Sequence, residues 1–219
     1  MNQAYRLPFP ADRLFGHATR ILDDAGSRYG SPFPWTFGGG TVLALRHRHR
    51  YSKDIDIFLP DPQYLGYLTP RLSDAAASGD PEYEEAAEFV KIYYPEGEVD
   101  FVAGSPLTAP GWQAGTVQDR AVRLETDVEI VAKKLHYRGD RFKARDVFDL
   151  AMLLGADPAV DQALRPWAQR HHGALCDLLL RRPEVLRATF EVIDAQAFRP
   201  TFEGAVSAVL RFLGVTGQR

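Results

Sequence analysis

The sequence predicts an α+β protein, with a mixed sheet flanked by helices over residues 1–125 and a C-terminal helical bundle over 126–219. Three observations carry this. Short apolar stretches of alternating polarity, separated by Gly/Pro turns, fill the first half. From Thr126 onward the apolar residues recur at helical spacing instead. The whole chain, 219 residues with 45% hydrophobic and 25% charged residues, has the composition of a globular domain able to bury a sizeable core.

Taken in order, residues 12–29 form an amphipathic helix through Leu14, Ala18, Ile21, Leu22 and Ala25. Trp35 to Phe37 is a short strand running into Gly38, Gly39 and Gly40. Thr41 is placed to cap a helix reaching about His49. Asp54 to Leu59 alternates carboxylate and aliphatic residues as a strand does. A helix over 62–77 follows. Residues 88–94 and 98–103 read as strands joined by the Pro95-Glu96-Gly97 turn. Residues 116–125 read as one strand or a pair. Helices are expected at about 127–138, 142–154, 158–170, 172–181 and 199–213, with Asp157-Pro158 and Arg182-Pro183 as helix starts.

Composition narrows the setting. No apolar run approaches the ~20 residues of a membrane span, and no basic segment followed by an apolar stretch marks the N-terminus. The single cysteine, Cys176, fits a reducing compartment and reads as a small buried apolar residue. These points predict a cytoplasmic protein without a membrane partner. A net charge of -3 gives no global attraction to nucleic acid, so any such affinity must be local.

The chemistry is concentrated in residues 37–61. Glycines between a strand and a helix let the backbone approach an anion, and the helix start presents free N–H groups to it. Gly39 and Gly40 stand there. Asp54 and Asp56, two apart on a strand, point the same way while Ile55 and Ile57 take the other face. Two such carboxylates repel unless water or a cation separates them. Hard oxygen ligands of this kind suit Mg²⁺, held by one or two carboxylates and substrate phosphates. A third carboxylate is expected for a two-metal site. Asp100, in a second strand, is the candidate, with Glu98 on the same face as its competitor.

The stretch "GGGTVLALRHRHRYSKDIDIF" resembles the motif of the DNA polymerase β-type nucleotidyltransferase superfamily, a glycine pair followed by Asp-x-Asp. Gly39, Gly40, Thr41, His49, Arg50, Ser52, Asp54 and Asp56 resemble more narrowly the AbiEii/AbiGii-type nucleotidyltransferase toxins. "VEIVAKKLHYRGDRFKARDVFDLAML" adds a lysine, an Arg-Asp pair and an Asp three residues on, at Lys134, Arg145, Asp146 and Asp149. Together the two segments cover about a quarter of the chain. The Arg46-His47-Arg48 run is more basic than the family pattern leads one to expect.

The resemblance implies a nucleotidyltransferase-type sheet, with the helical domain completing an active-site cleft. It implies transfer of a nucleoside monophosphate from an NTP, with pyrophosphate released. Asp54, Asp56 and Asp100 would hold metal, two Mg²⁺ ions or Mn²⁺ in their place. Gly39, Gly40, Thr41, Arg50 and Ser52 would contact the nucleotide, as would Lys134, Arg145, Asp146 and Asp149, with Lys134 offsetting charge on the leaving pyrophosphate. The implied acceptor is RNA, tRNA foremost, and the implied setting a toxin paired with an antitoxin. A small-molecule or protein hydroxyl as acceptor, or a non-catalytic nucleotide-binding module, are the alternatives.

The residues of the second segment carry their own reading. Lys134, Arg138 and Arg141 fall on one flank if the helix runs through Gly139. Six basic residues between 133 and 145 face one acid, Asp140, which makes a local anion site or a solvated helix face. Lys133 has Glu129 four residues back for a surface pair, whereas Lys134 has no acid at that spacing. Arg145 and Asp149 can pair at i, i+4, alone or within a structural ion network with Asp146.

Overall fold

A computed structural model of the chain describes residues 3–31, 33–154 and 157–215. They divide into two compact units, the first made of residues 1–46 and 52–126 and the second of 47–51 and 127–219. The short segment 47–51 thus belongs with the helices, although it lies inside the α/β stretch of the sequence.

The first unit is a mixed eight-stranded sheet with one long helix. Its strands are β1 (Gln3–Tyr5), β2 (Thr36–Gly38), β3 (Ile55–Leu59), β4 (Tyr83–Ala86), β5 (Phe89–Tyr94), β6 (Gly97–Ala103), β7 (Trp112–Val117) and β8 (Arg120–Glu125). They lie in the order β1-β7-β8-β2-β3-β6-β5-β4. Helix α1 (Ala11–Tyr29) packs against β3 and β6. Its buried stripe of Leu14, Phe15, Ala18, Ile21 and Leu22 follows the helical repeat, and it ends at Gly30, whose φ of 81° makes the left-handed cap. Beneath α1, Ile55, Ile57 and Leu59 of β3 and Val99 and Phe101 of β6 are fully buried. Strand alternation therefore turns Asp56 and Asp100 to the opposite face of the sheet. Helix α2 (Gly39–His47) starts directly at the end of β2.

Several expectations need correction here. The helix expected over 62–77 is a 3-10 turn, Pro62–Tyr67, and a separate four-residue helix α3 (Asp74–Ala77). Asp61 caps the first and Ser73 the second, so each start signal opens its own short element. Residues 116–125 belong to a β7–β8 hairpin that begins earlier, at Trp112. Strands β1 and β4 were not expected; both lie at sheet edges, and β4 is exposed along its whole length, so no apolar periodicity marks it.

The second unit is helical: α4 (Asp127–Arg138), α5 (Ala144–Leu153), α6 (Pro158–Gln169), α7 (His172–Arg181), α8 (Glu184–Glu191) and α9 (Phe202–Phe212). Asp157 caps α6 by accepting from Ala159 N at 2.8 Å, as its Asp-Pro start signal implies. Helix α8 begins after Pro183, at the helix start that Arg182-Pro183 signals, although no span was expected for it. Phe148, Phe190 and Phe202 pack along the α5, α8 and α9 contacts, the first pair tilted with ring centroids 5.5 Å apart and the second edge-to-face at 5.3 Å. Helix α4 stops at Arg138, and a 3-10 turn, Gly139–Arg141, takes over. Lys134, Arg138 and Arg141 therefore do not share one helical flank. Gly139 lies close against His171, where a Cβ would come within 2.6 Å of the His171 side chain.

Candidate functional site

The α/β unit gathers the glycine turn and the carboxylates on one rung of the sheet. Gly38 pairs with Asp56, Asp56 with Asp100, and Asp100 with Lys91 across β2, β3, β6 and β5. Directly opposed residues project to the same face, so two carboxylates stand side by side with a glycine on one flank and a lysine on the other. Gly39, at φ 70°, turns the chain out of β2 into α2. A Cβ built there would sit 1.9 Å from Asp56 Oδ2. The backbone of the turn and the Asp56 carboxylate thus meet at a distance only glycine allows.

Asp100 is mostly buried, and its carboxyl is pushed upward, first by desolvation and also by the charges of Glu98 and Asp54, while Lys91 opposes the shift. Lys91 Nζ lies 3.2 Å from Asp100 Oδ2 and 2.7 Å from Glu98 Oε2. Asp100 Oδ1 is buried and accepts no hydrogen bond from the described residues. Asp54 sits just before β3, and its Oδ1 accepts from Glu98 N at 3.3 Å. Of the two candidates for a third carboxylate, Asp100 faces Asp56 in register, whereas Glu98 is tied to Lys91 and more exposed.

Thr41 lies inside the first turn of α2 and is not its cap. Its hydroxyl donates to the Asp54 carbonyl at 2.6 Å and shares a hydrogen bond with Ser52 Oγ at 3.0 Å. Strand β3 does not reach back to Ser52, which is placed by Thr41 and not by strand register. One buried carboxylate had no sequence signal. Glu125, at the end of β8, accepts from Thr36 Oγ1 at 2.9 Å, and a Cβ on Gly38 would lie 2.2 Å from its Oε2. A lone Glu at a strand end carries no spacing that could reveal it.

Among the described residues, no three His, Cys, Asp or Glu side chains form a ready-made cation cage. The donor set nevertheless fits a divalent ion held jointly with a phosphate ligand. Paired hard oxygens and a buried carboxylate oxygen lacking a donor are what Mg²⁺ takes when it retains waters and substrate oxygens.

The helical unit holds the second motif as a closed ion network. Asp149, fully buried, accepts from His49 Nε2 at 2.8 Å and Arg50 Nε at 2.7 Å on Oδ1. Its Oδ2 accepts from Arg50 Nη2 at 2.8 Å and Lys134 Nζ at 2.6 Å. Lys134, 7% exposed, also reaches Asp146 Oδ1 at 2.9 Å. Asp146 Oδ2 in turn accepts from Lys143 N, capping α5. Two cations and two carboxylates balance, which is the condition for burying such charges. Burial presses both aspartates upward, but Lys134 overcomes it at each, joined by Arg50 at Asp149, so both are held below the usual carboxylate range. Lys134 is held above its ordinary value by Asp146 and Asp149 against the opposing effect of burial.

This arrangement corrects three expectations. Lys134 is not short of acidic neighbours; they come from α5, at i+12 and i+15, beyond the reach of same-helix spacing. Asp149 pairs with Arg50 and Lys134, and Arg145 stays outside on the exposed side of α5. Lys133 and Glu129 do approach, at 3.4 Å, but both are buried, not a surface pair. Cys176 is half-buried, less enclosed than its apolar reading implies. No helix of the described residues is long and apolar enough to cross a membrane.

Comparison with known proteins agrees with the motifs. Residues 20–213 match the family described as nucleotidyl transferase AbiEii toxin, type IV toxin–antitoxin system. No curated protein matches the sequence significantly. Among solved structures, a candidate nucleotidyltransferase from H. pylori aligns over 95% of both chains at 15% identity and a TM-score of 0.49. An antigenic nucleotidyltransferase-like protein from Paracoccidioides brasiliensis covers 77% of this chain and 89% of its own at 16% identity and a TM-score of 0.39. The family match spans nearly the whole chain and includes both motifs, so the protein belongs to the AbiEii nucleotidyltransferase toxins of type IV toxin–antitoxin systems.

Proposed function

We propose that this nucleotidyltransferase uses Mg²⁺ to move a nucleoside monophosphate from an NTP to an RNA hydroxyl, with the tRNA 3′ end as the leading acceptor. The observation that supports this best is the in-register Asp56–Asp100 pair packed against the backbone of the Gly39 turn. In this reading Asp54, Asp56 and Asp100 hold the metal. Bound there, the ion would neutralise triphosphate oxygens and help lower the pKa of the attacking hydroxyl. Gly39 and Gly40 would let the start of α2 approach a phosphate, with the Ser52 hydroxyl beside it as a donor and Thr41 holding Ser52 in place. Asp100, in register with Asp56, would complete the metal site and help activate the acceptor hydroxyl. Lys91 keeps its carboxylate oriented.

Within the helical unit, the Asp149-centred network keeps Lys134 charged and fixed, and it is the family resemblance that implies its ammonium offsets charge on the leaving pyrophosphate. Arg50, Asp146 and Asp149 act through Lys134 in this scheme. The antitoxin belongs to the family setting, and the cytoplasm is the compartment where NTP and RNA meet.

The test is incubation with each labelled NTP and total RNA, with and without Mg²⁺. Label should enter an RNA band only with the metal. Asp56→Ala should abolish labelling while the thermal midpoint of the metal-free protein holds or rises, because one of two facing carboxylates is gone. Label in a small molecule instead, or full activity in the alanine variant, would overturn the reading.

A further inference from the structure

The six basic residues between 133 and 145 are two populations. Lys133 and Lys134 are buried and matched by Glu129, Asp146 and Asp149. Arg138, Arg141, Lys143 and Arg145 are exposed, from the last residue of α4 to the first turn of α5. No carboxylate of the described residues pairs with Arg138, Lys143 or Arg145. Arg141 approaches Asp140 only loosely, at 3.6 Å, with the two side chains 78% and 52% exposed, a geometry worth little in water.

The backbone presents these charges in a fixed pattern. Phe142, Ala144 and Asp146 are buried, so Arg141, Lys143 and Arg145 alternate with anchors and project outward. Gly139 lies close against His171, which fixes the preceding turn. His171 Nε2 also lies 3.1 Å from the His136 carbonyl. Beside the charges, Tyr137 is 46% exposed. Four outward cations with an adjacent aromatic ring, on a chain of net charge -3, form a local surface complementary to a phosphate backbone with unstacked bases.

We infer that Arg138, Arg141, Lys143 and Arg145, with Tyr137, form the surface that grips the RNA acceptor through its backbone. The inference rests on the RNA reading above and adds to it where on this chain the acceptor is held. Four cations spread over eight residues exceed what one triphosphate engages, so the surface serves a polymer and not the nucleotide.

The experiment measures binding of fluorescent tRNA to the full-length protein by anisotropy, without NTP, over a range of salt. Each neutralised phosphate contributes about 0.7 to 0.9 to the slope of log affinity against log salt. Changing all four residues to Gln should lower that slope by about three. A second variant, sparing Arg138 and changing only Arg141, Lys143 and Arg145, should lower it by about two; it guards against a folding defect at the end of α4. Tyr137→Ala should weaken binding with little change of slope. The NTP-induced shift in thermal midpoint should be unaltered in Tyr137→Ala and should persist in the two Gln variants, which include Arg145, a residue the family resemblance also places near the nucleotide. Wild-type slope in the folded triple variant would overturn the inference and leave RNA as acceptor. Loss of the NTP shift together with RNA binding would assign the cluster to the nucleotide and overturn it too. No RNA binding by the wild type would bring down the acceptor reading itself.

Discussion

Gly39 joins backbone conformation to chemistry. Its φ of 70° is left-handed, which costs a side-chain-bearing residue about 1–2 kcal/mol. A Cβ there would also enter the Asp56 carboxylate. Gly39→Ala should therefore lower stability by at least about 1 kcal/mol and abolish nucleotide transfer, because Asp56 must move to make room. Thermal denaturation and the labelling assay check the two effects separately; an alanine variant with wild-type transfer would mean Asp56 is not needed where it stands. The glycine pair and Asp-x-Asp spacing were legible in the sequence because strand and turn geometry are local. Glu125 was not, since its partner Thr36 lies 89 positions away on a strand that only the sheet order brings beside it.

At the scale of elements, the ion network locks α4, α5 and the 47–51 segment together within the helical unit. Sequence spacing offered Lys134, Arg145, Asp146 and Asp149 as one group and stopped there, because intrahelical rules cannot see a partner on another helix. The network also sets a pH dependence. His49 is pushed below its ordinary 6.5, first by burial and then by Arg50 and His47, against the pull of Asp149. A histidine depressed in the fold contributes stability that is present above 6.5 and lost as pH falls through its folded value. Asp146 and Asp149, depressed below 3.8, lose theirs only at lower pH. Lys134, raised above 10.5, holds its contribution until pH climbs past that value. The thermal midpoint should thus be level from about 6.5 to about 10. It should then drop in two acid steps. His17 and His136, also depressed by burial, add to the first step. His49→Gln keeps an N–H for Asp149 and should shrink that first step while leaving the second; an unchanged acid slope between pH 6.5 and 5 would remove His49 from the account.

For the whole molecule, the consequential feature is that the helical unit is discontinuous in sequence. A boundary near residue 126 is visible from the change in periodicity, but the return of residues 47–51 to the helices is not, because five residues carry no periodic signal. Within that unit their backbone is integrated. Arg50 bridges to Ala195, Tyr51 N donates to the Asp194 carbonyl at 2.8 Å, and the carbonyls of His49 and Arg48 accept from Gln196 and Ala197. Charge makes the segment indispensable. With Arg50 present, two cations contact Asp146 and Asp149; without it, Lys134 is left as the contacting cation among the described residues. Removing one partner from a buried set of this kind costs about 3–5 kcal/mol, a large part of a domain's stability. Residues 127–219 expressed alone should therefore show helical circular dichroism without a cooperative thermal transition at neutral pH. Arg50→Gln in the full chain isolates the same loss with the backbone contacts kept, and should lower the thermal midpoint by several degrees or more. Acidification separates this cause from mere truncation: as Asp149 takes up a proton the uncompensated charge disappears, so the penalty of Arg50→Gln relative to wild type should narrow toward low pH. A fragment 127–219 that melts cooperatively near the full-length midpoint would show that the helices do not need the segment, and a pH-independent Arg50→Gln penalty would show that its contribution is not electrostatic.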